Sequence, residues 1–153
     1  MRVFSIFFLI VLATFIIDQN IKTLFVEGYY RAGECIDLVL YYNKGVAFSM
    51  FASLGAYLKW IQALLVLVIL YVIFKENYLQ RYAIPAGLLI GGALGNVYDR
   101  FIHEGVVDYV AWHCGFNFAV FNFADVAIDF AVFCIVIMLY FFPEKKTKEN
   151  LED

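Results

Sequence analysis

Four apolar runs divide the chain: Val3 to Ile17, Leu54 to Phe74, Tyr82 to Val97 and Phe118 to Phe142. Crossing a bilayer as a helix takes roughly 17 to 25 residues. The second and fourth runs reach that length unaided. The first does so only by continuing past Asp18 and Lys22 to Val26, and the third by including its polar end, Asn96 to Arg100. The pattern predicts helices over about 3–26, 54–74, 82–99 and 118–142, in a single integral membrane domain spanning 1–153. Two of these spans carry polar residues near one membrane face.

Between the runs the pattern changes. From Cys35 to Phe48, the β-favouring residues Ile36, Val39, Tyr41, Tyr42, Val46 and Phe48 surround Asn43-Lys44-Gly45, which reads as a short hairpin and its turn. Gly105 to Tyr109 reads as extended, after a turn at His103-Glu104-Gly105. Trp60 and Trp112, with several tyrosines, suit the membrane interface. Gly87, Gly91 and Gly95 form a small-xxx-small ladder along the third span, which lets a neighbouring helix pack closely. After Pro143 the chain becomes charged, and a frayed tail is expected.

Composition excludes a soluble enzyme. Hydrophobic residues make up 64% and charged residues 16%, against about 25% charged in ordinary globular domains. A net charge of -3 with no basic stripe gives no reason to expect a nucleic-acid partner. Arg2 and the short first run resemble a leader peptide. However, Ile17-Asp18-Gln19 offers no small-x-small cleavage site, so a retained first helix is expected. Basic residues set the orientation. Arg2, Lys75, Arg81, Lys145, Lys146 and Lys148 crowd a very short N-terminus, one short loop and a short tail. Lys22, Arg31, Lys44, Lys59 and Arg100 are spread over two longer connections. Both termini are therefore expected in the cytoplasm, and the long connections outside.

Carboxylates near hydrocarbon are the candidate chemistry, because an ionised acid there is costly and marks function by default. Asp108, in Val106-Val107-Asp108-Tyr109, and Asp125, in Phe121-Asn122-Phe123-Ala124-Asp125, both fall near the outer end of the bundle. Each is the expected partner of the other. Two close carboxylates resist double ionisation, so one holds a proton while the other acts as a base. Asn122, Asp125 and Asp129 share a stripe at helical spacing, as do Asn96, Asp99 and Arg100. Asp18 and Lys22 are four apart in the favourable order for an ion pair, which reads as structural. His103 and His113 lack metal-site spacing and read as surface histidines. No GxSxG element supports a serine nucleophile. The cysteines show no metal spacing; Cys35 and Cys114 could pair outside the membrane, and Cys134 reads as core.

Five blocks in order resemble the lipoprotein signal peptidases, the signal peptidase II family. They are Asp18 with Lys22; Asn43-x-Gly45-x-Ala47-Phe48-Ser49; Gly91 through Arg100; Val106-Val107-Asp108-Tyr109; and Phe121-Asn122-Phe123-Ala124-Asp125. The resemblance implies a mainly α membrane protein of the bacterial cytoplasmic membrane. It would have four transmembrane helices, an extracytoplasmic β-cradle, and a short amphipathic helix between the third and fourth spans. It implies an aspartyl endopeptidase that removes the signal peptide of a diacylglyceryl-modified prolipoprotein, cutting just before the lipidated cysteine. Asp108 and Asp125 fall on the catalytic positions. Asn43, Gly45, Asn96, Asp99, Arg100 and Asn122 fall on positions that support the site or contact substrate, and Asp18 and Lys22 on a buttress of the fold. No metal or cofactor is implied; the expected partners are the substrate and membrane lipids, with the chain a monomer. Asp129 departs from the family pattern, which usually has an uncharged residue there; either a protonated carboxyl or a pairing with Lys22 or Arg100 is expected. Two readings from other classes compete: a proton-coupled carrier, built on acids at helix ends, and a membrane scaffold, supported by the glycine ladder.

Overall fold

The computed structural model describes residues 1–45, 54–103 and 105–142. In chain order the elements are α1 (Arg2–Val26), β1 (Ile36–Asn43), α2 (Tyr57–Lys75), α3 (Leu79–Ile102), β2 (Val106–Trp112) and α4 (Phe123–Phe141). Helices α1, α2 and α4 are long and apolar enough to cross a membrane. Helix α3 has the length, but its ends carry Gln80, Arg81, Asn96, Asp99 and Arg100. The outward faces of the bundle are apolar: Leu9, Trp60 and Phe133 are each more than 60% exposed. Contiguous apolar surface on this scale matches lipid rather than water.

Helix α3 is the centre of the bundle and packs against α1, α2 and α4. Its glycines make that possible. A Cβ on Gly87 would lie 2.7 Å from Ile10 Cβ, one on Gly91 2.7 Å from Thr14 Cβ, and one on Gly92 2.7 Å from the Ala124 carbonyl oxygen. The ladder Gly87-Gly91-Gly95 thus lies against α1, while Gly92 admits α4. Pro85 removes one helical N–H, and the backbone departs from helical geometry at Tyr82. The regular part of α3 begins beyond that kink, close to the predicted boundary. Phe7, Val66, Ile73, Leu79, Ala86 and Ile90 form the apolar core.

Two expectations are corrected, and a third lies partly outside the described residues. Strand β1 pairs antiparallel with β2, with Tyr41 opposite Asp108 and Asn43 opposite Val106. The second arm of the expected hairpin (46–48), Ala47 to Ser49 of the family block, Glu104 of the expected turn and the tail from Glu144 lie outside the described residues. The connection from α3 to α4 contains β2 and irregular chain, with no helix among its described residues. Finally, α4 starts at Phe123 rather than 118. Residues 118–121 instead run back along β2, where Phe118 N–H donates to the Trp112 carbonyl and Phe121 exchanges hydrogen bonds with Val110. Cys35 and Cys114 are disulfide-bonded, joining the ends of β1 and β2 remote from the site.

Candidate active site

The sheet places Asp108 and its first partner. Tyr41 faces Asp108 and Asn43 faces Val106, so Asn43 and Asp108 are diagonal neighbours on one face of the ladder. Asn43 Nδ2 donates to Asp108 Oδ2 at 2.9 Å, and Asn43 Oδ1 accepts from Gly45 N–H at 3.0 Å.

The start of α4 places Asp125. Asn122 is the N-cap: its Oδ1 accepts from Asp125 N–H at 2.9 Å, and Asp125 Oδ2 accepts from Asn122 N–H at 3.1 Å, a reciprocal capping box. A helix begins with N–H groups that have no partner within it. Here the first three are taken by side chains from different elements. Phe123 N–H donates to Tyr109 Oη at 3.0 Å, Ala124 N–H to Asp18 Oδ1 at 3.1 Å, and Asp125 N–H to Asn122. Strand β2 and helix α1 thereby fix where α4 begins, and with it the first-turn carboxylate.

Asn122 joins the two acids. Its Nδ2 donates to Asp108 Oδ1 at 2.6 Å and to Asn96 Oδ1 at 3.2 Å. Asn96 Nδ2 in turn donates to Asp125 Oδ1 at 2.8 Å. Lys22 stands behind Asn96, with its Nζ 2.9 Å from Asn96 Oδ1 and 2.7 Å from both Asp18 and Asp99. Asp18 and Asp99 are fully buried, and Lys22 is 2% exposed. A buried charge requires such pairing. Asp99 Oδ2 also accepts from Val107 N–H at 3.1 Å, next to Asp108.

Asp108 and Asp125 open onto one cavity of about 310 Å³, shared with Asn43, Gln62, Asn96 and Arg100. Burial, and then the charge of Asp125, push the Asp108 carboxyl up to about 7. Burial also pushes the Tyr109 hydroxyl up to about 12, so it remains a neutral phenol.

The predicted site residues are thus brought together, although four of them run differently from the sequence pattern. Asn96, Asp99 and Arg100 diverge: Asn96 faces the acids, Asp99 faces Lys22, and Arg100 donates to Gln62 and to the carbonyls of Asn43 and Gly45. Asp129 also lines the cavity, but neither Lys22 nor Arg100 pairs with it. The histidines lie at opposite ends of the sheet, His103 against Tyr42 and His113 3.4 Å from Asp37. Sequence reasoning passed over Gln19, Tyr109 and Gln62. Gln19 Nε2 bridges Asp18 and Asp99 at 3.1 and 2.9 Å. Gln62 had a signal, being an uncharged polar residue one turn inside Lys59 in a span that is apolar from there to Phe74.

The profile of Signal peptidase (SPase) II matches residues 10–141. The chain belongs to the signal peptidase II family. A lipoprotein signal peptidase from a Sulfurovum species is 74% identical over 145 residues, covering 95% of this chain and 99% of the relative. One from Sulfurimonas denitrificans is 60% identical over 137 residues, covering 90% and 89%. A solved bacterial membrane enzyme shares the fold with a TM-score of 0.76 at 23% identity, covering 94% of this chain and 93% of its own. A second gives 0.72 at 25% identity, covering 86% and 90%. Family membership makes this chain a peptidase, a hydrolase of peptide bonds, in a bacterial inner membrane, and removes the ground for the carrier and scaffold readings.

Proposed function

We propose that this chain is an aspartyl endopeptidase working within the membrane, which cuts the signal peptide from a diacylglyceryl-modified prolipoprotein just before the lipidated cysteine. The observation that carries this reading is the pair of acids, Asp108 and Asp125, tied to one asparagine and facing one cavity. A pair that shares one proton has both groups the reaction needs. The ionised carboxylate takes a proton from water, whose oxygen attacks the scissile carbonyl carbon. The protonated partner donates to the carbonyl oxygen, and a proton passes to the departing nitrogen as the C–N bond breaks. General acid-base catalysis of this kind contributes about 10²- to 10⁴-fold.

In this reading α3 is the fourth crossing, shielded from lipid by its three neighbours, so its polar ends are tolerated. The chain is one domain with both termini in the cytoplasm, and the sheet lies on the outer side, where a disulfide persists. Asn43, Asn96 and Asn122 hold the acids, and Gly45 and Arg100 order the cavity rim. Asp99 with Asp18 and Lys22 fixes the backbone on either side. Enzyme and acylated substrate share a bilayer as monomers, which raises their effective concentration.

The test is a gel-shift assay. Purified protein is given a prolipoprotein with and without its diacylglyceryl group, beside Asp108→Asn and Asp125→Asn. Cleavage of the lipidated form alone, abolished in both folded variants, is expected. Near-wild-type turnover by either variant would sink the dyad.

A further inference from the structure

We infer that Gln62 is a substrate-binding residue, whose side-chain amide donates a hydrogen bond to a backbone carbonyl of the peptide beside the scissile bond. The inference rests on the dyad reading for the position of that bond.

Gln62 lies on α2 and lines the same cavity as Asp108 and Asp125. Its Oε1 accepts from Arg100 Nε at 2.6 Å. A guanidinium has only donors to offer. The oxygen of Gln62 must therefore face Arg100, which leaves the amino group as the free end. Arg100 is itself fixed, with its other nitrogens on the carbonyls of Asn43 and Gly45. No hydrogen bond from Gln62 Nε2 reaches an acceptor among the described residues.

The other amides of the cavity are engaged. Asn43 Nδ2 donates to Asp108, Asn96 Nδ2 to Asp125, and Asn122 Nδ2 to both Asp108 and Asn96. Among the described residues, Gln62 is thus the oriented side-chain amide of the cavity whose donor has no partner. A peptide segment cut at membrane depth has to leave its helix for the bond to be reached. Its freed carbonyls then lack partners, and an unsatisfied polar group there is costly. The Gln62 amino group supplies the missing donor.

The experiment compares Gln62→Glu and Gln62→Met in the full-length protein, using lipidated prolipoprotein and reading kcat, KM, melting temperature and pH profile. Gln62→Glu keeps an acceptor for Arg100 but lacks the donor; Gln62→Met lacks both and adds no charge. Both are expected to lower kcat/KM about tenfold. Gln62→Glu should melt no lower than wild type, and Gln62→Met should keep the shape of the pH profile. Wild-type kcat/KM in Gln62→Glu would mean that Gln62 only props Arg100, and would overturn the inference. Wild-type kcat/KM in Gln62→Met would overturn it as well, leaving added charge as the cause of any loss in the glutamate variant. Asp125→Asn, run alongside, keeps the two readings apart: if it still cleaves, the dyad fails whatever the Gln62 variants do.

Discussion

Lys22 Nζ donates to Asn96 Oδ1 at 2.9 Å, and that contact decides which end of Asn96 faces Asp125. An ammonium has no acceptor, so the amide oxygen must turn towards Lys22 and the amino group towards the carboxylate. The orientation passes to Asn122, which donates to the same oxygen and to Asp108. One buried cation thus sets the polarity of a network that reaches both acids.

Removing that cation leaves Asp18 and Asp99 buried with no opposing charge. Lys22→Met is expected to destabilise the protein by about 3–5 kcal/mol, the usual cost of breaking a buried pair on one side. Thermal unfolding in detergent checks this; a melting temperature equal to wild type would contradict it.

The Asp108 carboxyl, raised to about 7, gives a pH dependence with a definite sign. Between about pH 4 and 7 the folded protein keeps a proton that the unfolded chain, with an ordinary carboxyl, has released. Stability from this group is therefore greatest at the acid end, falls as pH rises through that window, and levels off above it. Asp108→Asn should flatten that slope. Cleavage should also decline above about pH 7, where the pair loses the proton one member must hold. Rates and melting curves from pH 5 to 9 test both; activity still rising at pH 9 would rule out the shared proton.

Asp129 lines the cavity one turn deeper than Asp125 and has no ion-pair partner among the described residues. Asp129→Ala should therefore keep the fold and retain cleavage, with any effect confined to the pH optimum. A folded but wholly inactive variant would show that Asp129 belongs to the chemistry.

Gly95 faces the Asp18 carboxylate so closely that a Cβ would collide with it. Gly95→Ala should push Asp18 from Lys22 and from Ala124 N–H, at a cost of about 1–3 kcal/mol, typical of overpacking. The melting temperature measures this; an unchanged value would mean that α1 and α3 can separate without loss.

Much of this protein is written locally in its chain. Hydrophobic length defines the helices because a bilayer core has a fixed thickness. Glycine spacing marks the close face of α3 because helical neighbours lie three and four residues apart. The two acids could be singled out because a carboxylate near hydrocarbon needs a reason to be there. The Asn122-x-x-Asp125 spacing before an apolar run was also legible as a capping box, and reading it would have placed the start of α4 correctly.

What the chain could not supply alone was pairing across distance. Alternation favours a strand at 36–43 but does not name its partner; β2 takes that place, and the resulting register brings Asn43 to Asp108. Asp18 and Lys22 form an ion pair by spacing. Only the tertiary structure adds Asp99, Asn96 and the Ala124 N–H, turning a local bridge into a support for both acids. The same holds for Gln62: its composition says only that a polar group lies in a membrane helix. Arg100, brought from α3, decides which end of it faces the cavity. Local patterns follow from periodicity and solvent, whereas the direction of each hydrogen bond follows from which donors and acceptors the fold brings together.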